Sequence, residues 1–352
     1  MEKLGDFLKR IGKSNIHIVG VTGSEGSGIL NLLSDFGAKN ITAHDFISDD
    51  KLEKNFKIWH KGIDTDIRQK LFRRFSQNLG KVRFYDGRDY LKDIEKADII
   101  FVSQSWKLYS QNRPLFDLKG KIPFYSLTRI YLDFAKAQVV AVTGTVGKGS
   151  TASLLTEIFR ESGRNSFFAG NETWKVQPVD KLKRMKPDDF LVLEVSHRQL
   201  ADGFSRPPAT VVVTNLFPNH LDELDWESYL KLKLTLVRRQ GKEGNSVINY
   251  DNDELRRQTE GLMSKRFYYS LKDRNMNTES IRKIYDQILN IKSVHYPENV
   301  LAASTTAKIY GITDNTIFKA IVKSQGLTAR VEEIGSVNGV KIIDDIKSTN
   351  QG

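Results

Sequence analysis

The stretch that decides the fold reads Gln138-Val139-Val140-Ala141-Val142-Thr143-Gly144-Thr145-Val146-Gly147-Lys148-Gly149-Ser150-Thr151. An apolar run of strand length leads into a glycine-rich loop, and an amphipathic helical run over residues 150–162 follows, with Gly163 as its stop. Such a loop turns successive N–H groups toward one anion, and the N-terminal end of the next helix adds positive charge. The alternative is a glycine turn with a chance lysine, but strand, Gly-Lys pair and helix together favour a phosphate-binding loop.

The order of elements around this loop predicts an α/β protein. Residues 16–36 repeat the strand, glycine loop and helix order, and apolar runs at 41–45 and 97–103 read as further strands. They predict a Rossmann-like N-terminal domain over residues 1–137. Strands are predicted at 190–195, 210–214, 246–249 and 340–343, and helices at 227–239, 302–310 and 314–324. This alternation predicts a central P-loop domain over residues 138–343, with a mainly parallel sheet flanked by helices.

Composition limits the function classes. The 352 residues include no cysteine, so disulfides, thiolate nucleophiles and cysteine-based zinc sites are excluded. With 39% hydrophobic and 28% charged residues, the chain is typical of a globular protein rather than a disordered one. No apolar run approaches membrane-spanning length, so we expect a cytoplasmic protein without a membrane partner. The net charge of +11 is spread along the chain, which favours ligands that carry phosphate over a nucleic-acid partner.

Several motifs together resemble the Mur ligase family. Residues 143–151 are similar to the family's T-G-T-x-G-K-[ST]-[ST] loop, except that Gly149 stands where the family has a Mg²⁺-binding hydroxyl. Residues 194–200 resemble E-[LV]-S-S-F-Q-L, with His197 and Arg198 as departures. Residues 215–222 resemble N-x-x-x-[ED]-H-[LM]-D, and Tyr229 with Lys233 matches Y-x-x-x-K.

The resemblance implies an ATP-dependent ligase that joins a carboxylate to an amine through an acyl phosphate. Lys148, Lys233, His220 and Glu194 would be the catalytic residues, and Lys233 would carry CO₂ as a carbamate. One or two Mg²⁺ ions would be held by Ser150, Glu194, His220 and Lys233. ATP would be bound by Gly144, Thr145, Gly147, Lys148, Gly149, Ser150, Asn171, Asn249, Asn299, Arg330, Asp345 and Lys347.

The resemblance also implies the remaining partners. The substrates would be a UDP-linked cell-wall precursor, bound by Ser24, Asp45, Ser103, Ser196 and Gln199, and an amino acid, D-glutamate in the branch of the family that is most similar. Residues 344–352 would be a hinge stub before a third domain that is expected to be absent, so we expect weak or no ligation by this chain, as a monomer. Departures such as Glu298 and Ala329 leave two alternatives open: a related ligase for another wall polymer such as pseudomurein, and an inactive nucleotide-binding or regulatory module.

Overall fold

The computed structural model describes residues 3–171, 175–289, 296–324, 332–337 and 340–344. It divides into two compact units, one formed by residues 1–136, 172–185 and 198–206, the other by residues 137–171, 186–197 and 207–352. The predicted domain limits did not anticipate that segments 172–185 and 198–206 belong to the first unit. In the part of the chain that is described, no helix is both long enough and apolar enough to cross a bilayer.

The first 136 residues contain five strands and six α-helices within the described range. In chain order they are α1 (Leu4–Ile11), β1 (Ile16–Val19), α2 (Ser24–Asp35), β2 (Ile41–Asp45), α3 (Leu52–Trp59), α4 (Thr65–Leu79), β3 (Arg83–Asp86), β4 (Ile99–Val102), α5 (Arg113–Leu118), β5 (Phe124–Tyr125) and α6 (Leu127–Phe134). The sheet has the order β3-β2-β1-β4-β5 and all its pairings are parallel.

The later elements begin with the strand that leads into the phosphate loop. They are β6 (Gln138–Thr143), α7 (Lys148–Glu161), β7 (Ser166–Gly170), β8 (Phe190–Glu194), α8 (His197–Leu200), β9 (Thr210–Val213), α9 (Trp226–Arg238), β10 (Asn245–Asn249), α10 (Asp253–Gln258), β11 (Lys265–Tyr269), α11 (Glu279–Ile288), α12 (Pro297–Ile309), α13 (Asp314–Lys323), β12 (Glu332–Val337) and β13 (Val340–Asp344). Six strands form a parallel sheet of order β11-β10-β9-β6-β8-β7. The last two strands form an antiparallel hairpin.

The apolar runs are typical of strands in a parallel sheet that is covered on both faces. Residues 139–142 and 190–193 are buried throughout, as expected where helices cover both faces of a sheet. The ring of Phe159 on α7 stacks on Phe190 of β8 with centroids 3.9 Å apart. This contact packs the helix that follows the phosphate loop against β8, the neighbour of β6 in the sheet.

The predicted α/β class is confirmed, and the main differences from the sequence prediction lie at element ends. Helix α2 begins at Ser24 inside the predicted glycine loop, and α7 begins at Lys148, two residues early. Both starts are early because small residues at a helix N-terminus carry no apolar signal. Strands β3, β5 and β11 were not predicted, since they lie at or next to sheet edges and are short or polar.

Candidate active site

The phosphate loop lies between the carboxyl end of β6 and the start of α7. Gly144 has φ +137°, and a Cβ there would lie 2.1 Å from Thr214 Oγ1 on the neighbouring segment. Gly147 has φ +82° and caps α7, a left-handed conformation that glycine adopts without steric cost. Both glycines are therefore required by the shape of the loop.

Asn215, just after β9, holds the first half of the loop. Its Oδ1 accepts hydrogen bonds from the backbone N–H groups of Thr145 and Val146, at 3.2 and 2.8 Å. The first intrahelical bond of α7 is donated by the Thr151 N–H to the Gly147 carbonyl. Residues 148–150 form the first turn of α7, and the N-terminal end of a helix is where backbone N–H groups can bind a phosphate.

Two lysines reach the carbonyls of the same loop. Lys148 Nζ donates to the Thr145 carbonyl at 2.9 Å, and Lys233 Nζ, on α9, donates to the Gly144 carbonyl at 2.7 Å. Lys233 is 2% exposed. Burial, together with the positive charge of Lys148, lowers the pKa of Lys233 well below its ordinary value, while Glu194 acts in the opposite direction. Burial and the charge of Lys148 therefore favour the neutral amine of Lys233 over the protonated one.

Glu194 lies at the carboxyl end of β8 and is 2% exposed. Its Oε1 accepts a hydrogen bond from Asn171 Nδ2 at 3.2 Å. Its Oε2 is buried and has no hydrogen-bond partner within the described ranges. A buried carboxylate oxygen without a donor is costly, so this atom fits a cation ligand, and Mg²⁺ prefers such oxygen donors.

Tyr229 joins the loop to α9. Its hydroxyl lies 3.2 Å from Thr145 Oγ1, and the ring is 1% exposed. Asp225 caps α9 by accepting a hydrogen bond from the Ser228 N–H, and this cap fixes the helix turn from which Tyr229 and Lys233 project one turn apart.

His220 lies beside His197 and Glu223. His220 Nδ1 is 3.2 Å from Glu223 Oε1, and His197 Nε2 is 3.6 Å from Glu223 Oε2. The predicted metal ligand set included neither His197 nor Glu223. His197 was apparent in the sequence only as a departure from the family motif, and Glu223 gave no signal.

Four more of the residues that were predicted to bind ATP lie in the described part of the second unit: Asn299, Asn249, Gly149 and Ser150. Asn299 Oδ1 accepts a hydrogen bond from Thr151 Oγ1 at 3.3 Å and lies beside Gly147. Asn249 ends β10, where its Oδ1 accepts a hydrogen bond from the Asp251 N–H at 3.0 Å. Gly149 and Ser150 are in the first turn of α7. The predicted residues outside the described ranges are Arg330, Asp345 and Lys347.

The first unit contains a pocket at the carboxyl ends of its strands. Ser24, Asp45 and Ser103 line it, as predicted for substrate residues, and so do the aromatic rings of Phe46, Trp59 and Tyr109, which were not predicted. Gln199 Nε2 donates to Glu25 Oε1 at 3.2 Å, and Glu25 also lines the pocket. Ser196 follows β8 in the other unit.

The two carboxyl groups of this pocket, Asp45 and Glu25, accept hydrogen bonds from neighbouring residues of the same unit. Asp45 Oδ2 accepts hydrogen bonds from the N–H and the hydroxyl of Thr22, at 3.1 and 2.6 Å. Burial raises the pKa of Asp45, and it raises the pKa of Glu25 to about 7, although the Gln104 N–H and Gln199 stabilise its charged form. Both acids hold the pocket wall, and neither is a free charge.

Comparison with known proteins gives the family context of this geometry. Residues 142–311 match the family described as "Mur ligase middle domain". The chain is 29% identical to a UDP-N-acetylmuramoylalanine–D-glutamate ligase of Acetivibrio thermocellus, over 97% of this chain and 72% of the relative. It is 33% identical to the enzyme of the same name from Alkaliphilus oremlandii, over 61% of this chain and 50% of the relative.

Solved structures agree on the fold. A UDP-N-acetylmuramate:L-alanyl-gamma-D-glutamyl-meso-diaminopimelate ligase from Neisseria meningitides superimposes with a TM-score of 0.58 at 17% identity, covering 90% of this chain and 99% of that one. A UDP-N-acetylmuramate-alanine ligase from Thermotoga maritima superimposes with a TM-score of 0.52 at 13% identity, covering 94% of this chain and 74% of that one.

Proposed function

We propose, from the premise that this chain belongs to the Mur ligase family of ATP-dependent amide ligases, that it adds an amino acid to a UDP-linked cell-wall precursor. D-Glutamate is the proposed amino acid, because relatives named as D-glutamate ligases match along most of the chain. The observation that carries the proposal is the hydrogen bond of 2.7 Å from the buried amine of Lys233 to the carbonyl of Gly144 in the phosphate loop.

The proposed reaction has two steps. An oxygen of the substrate carboxylate attacks the γ-phosphorus of ATP, the bond to the bridging oxygen breaks, and ADP leaves with the electron pair. The amine nitrogen then attacks the acyl carbon, phosphate leaves, the nitrogen loses a proton to solvent, and an amide remains. The residues 148–150 amides and Lys148 would stabilise the charge on the transferred phosphoryl group.

The proposed Mg²⁺ ligands are oxygen atoms at the loop. Glu194 Oε2 and the hydroxyl of Ser150 would hold Mg²⁺, which when bound neutralises phosphate charge. Lys233 would contribute after its neutral amine adds to the carbon of CO₂ and loses a proton, because the resulting carbamate presents oxygen atoms. A neutral amine is the nucleophilic form, so the lowered pKa of Lys233 supports this step.

Nucleotide binding is tested with Lys148→Ala and, as control, Lys231→Ala, which removes an exposed lysine from α9. Mg²⁺–ATP at a hundred times its Kd is expected to stabilise the wild-type protein by about 2.7 kcal/mol. That corresponds to a Tm increase of roughly 5–10 °C for a unit of this size. The increase should persist in the control and largely disappear in Lys148→Ala. An unchanged increase in Lys148→Ala would contradict the assignment of the loop.

A second candidate is a related ligase for another wall polymer such as pseudomurein. It is motivated by the departures from the family motifs at Gly149, His197 and Glu298. Phosphate release can be measured with ATP, D-glutamate and UDP-N-acetylmuramoyl-L-alanine, and then with other amino acids and nucleotide-linked precursors. Phosphate release that requires both D-glutamate and UDP-N-acetylmuramoyl-L-alanine supports the D-glutamate assignment. Phosphate release only with another amino acid or another precursor supports the second candidate. ATP binding without release in any combination would favour a nucleotide-binding module.

A further inference from the structure

We propose that the pocket of the first unit binds a phosphate-bearing ligand together with one proton, which the carboxylate of Glu25 takes up from solvent. The ligand class rests on the proposed function, since a UDP-linked precursor carries a diphosphate. Among the described residues that line this pocket, the acids are Glu25 and Asp45. The inference therefore concerns which of these acids responds to the ligand, and over which pH range.

The Glu25 side chain lies in the wall of the pocket. It projects from the first turn of α2, and the residue is 5% exposed. Its Oε2 accepts a hydrogen bond from the Gln104 N–H at 2.6 Å, and its Oε1 accepts one from Gln199 Nε2 at 3.2 Å. Both donors are neutral amides, and no lysine or arginine in the described part of the chain forms an ion pair with Glu25. A buried carboxylate with only neutral partners is costly to ionise.

The charged neighbour of Glu25 is another acid. The carboxylate of Asp202 disfavours a negative charge on Glu25, although Lys107 Nζ lies 3.0 Å from Asp202 Oδ1 and offsets part of that effect. Tyr131, on α6, keeps its proton, because burial and the charge of Glu25 both raise its pKa. Burial, the larger cause, and Asp202 together raise the pKa of Glu25 to about 7, against the two hydrogen bonds. Glu25 thus changes charge near neutral pH.

A bound phosphate brings further negative charge into the pocket. Like charges repel strongly in a partly buried site, because little water screens them. Asp45 accepts hydrogen bonds from the N–H and the hydroxyl of Thr22 and from the Ile47 N–H, and these favour its ionised form. Glu25 accepts two hydrogen bonds, so we expect Glu25 to be the acid that takes up the proton.

The hydrogen bonds of Glu25 leave a place for this proton. The short contact from the Gln104 N–H keeps Oε2 as an acceptor, so the proton would sit on Oε1. A half-turn of the Gln199 side-chain amide would then present its oxygen to the Oε1–H group. The side chain introduced by Glu25→Gln would make the same two contacts through its amide oxygen and nitrogen. This variant therefore represents the neutral acid at every pH.

The test measures the binding of UDP-N-acetylmuramoyl-L-alanine to the whole chain by calorimetry between pH 6 and 8.5. The diphosphate and the carboxylate of this probe stay ionised throughout, so a change in affinity reports on the protein. Glu25 would be neutral in about half of the molecules at pH 7 and in about a tenth at pH 8, so the affinity should fall about fivefold between these values. Buffers with different ionisation enthalpies should show uptake of about 0.9 proton per bound probe at pH 8 and about 0.1 at pH 6.

Two variants locate the proton. Glu25→Gln should bind the probe with nearly constant affinity from pH 6 to 8.5 and should take up almost no proton. Glu53→Gln, the same change at an exposed acid on α3, should behave like the wild-type protein. The Tm of each variant without ligand at pH 7 checks folding, and the wild-type pH series tests the proposal without any substitution.

The outcomes separate this inference from the proposed function. Binding of the probe with equal affinity from pH 6 to 8.5, or proton uptake that persists in folded Glu25→Gln, would overturn the role of Glu25 and leave the precursor assignment in place. Absence of binding at every pH would instead refute the proposed precursor, and the inference with it.

Discussion

Gly147→Ala tests whether the conformation of the phosphate loop depends on a glycine next to Asn299. Gly147 has φ +82°, and an added Cβ would lie 2.2 Å from Asn299 Oδ1. A side chain in this left-handed conformation costs about 1–2 kcal/mol. Displacing the Asn299 amide would also remove the hydrogen bond from Thr151 Oγ1, at about 1 kcal/mol. We therefore expect a total loss of about 2–3 kcal/mol in the free energy of unfolding.

The matched control is Gly163→Ala at the other end of α7. Gly163 has φ +80°, but no atom lies within 4 Å of its added Cβ. The control therefore carries the backbone cost alone, about 1–2 kcal/mol. The Tm of Gly147→Ala is expected to fall by roughly 4–12 °C, at about 2–4 °C per kcal/mol, and that of the control by less.

The assay is thermal unfolding of both variants, with and without Mg²⁺–ATP. Displacement of Asn299 and a shift of the loop would change the positions of the backbone amides of residues 148–150. Gly147→Ala should therefore bind Mg²⁺–ATP at least about tenfold more weakly, which is a difference of about 1.4 kcal/mol in binding free energy. The control should bind ATP normally. The reasoning fails if both variants lose the same stability and bind ATP equally well.

The remaining predictions concern titratable groups. Burial lowers the pKa of His17 to about 4 and that of His44 to about 3, both below the ordinary 6.5, so the unfolded chain takes up protons first. Stability should therefore fall as pH drops from about 6.5 to about 4, by up to about 1.4 kcal/mol per pH unit for each histidine, and unfolding of His44→Gln should show a shallower slope. Glu25 acts in the opposite sense, because its pKa is about 7 in the folded protein and 4.5 ordinarily. The protein should gain stability from this group as the pH falls from about 7 to 4.5, and Glu25→Gln should remove that gain. For Lys233, carbon-13 bicarbonate should give a carbamate resonance that is absent in Lys233→Met and present in Lys231→Met, and a signal in both variants would place it elsewhere.

The α/β class and the central strand, loop and helix could be predicted from the order of residues alone. Buried parallel strands need continuous apolar runs, and a phosphate loop needs glycines and a lysine, so both features are written in consecutive residues. The loop pattern also predicted a phosphate-binding role for Lys148 at the start of α7, whereas the roles of Glu194 and Lys233 were predicted from the resemblance to family motifs.

The contacts between residues that are distant in the chain became apparent only in the folded protein. Asn215 holds the loop from 70 positions away, and Glu223 lies between two histidines that are 23 positions apart, because the sheet order places β9 and β8 on either side of β6. Sequence patterns reflect the conformation and burial of each segment, whereas hydrogen-bond and metal partners depend on strand order and packing. Hence the loop was predicted, and the side chains that support it were found in the folded chain.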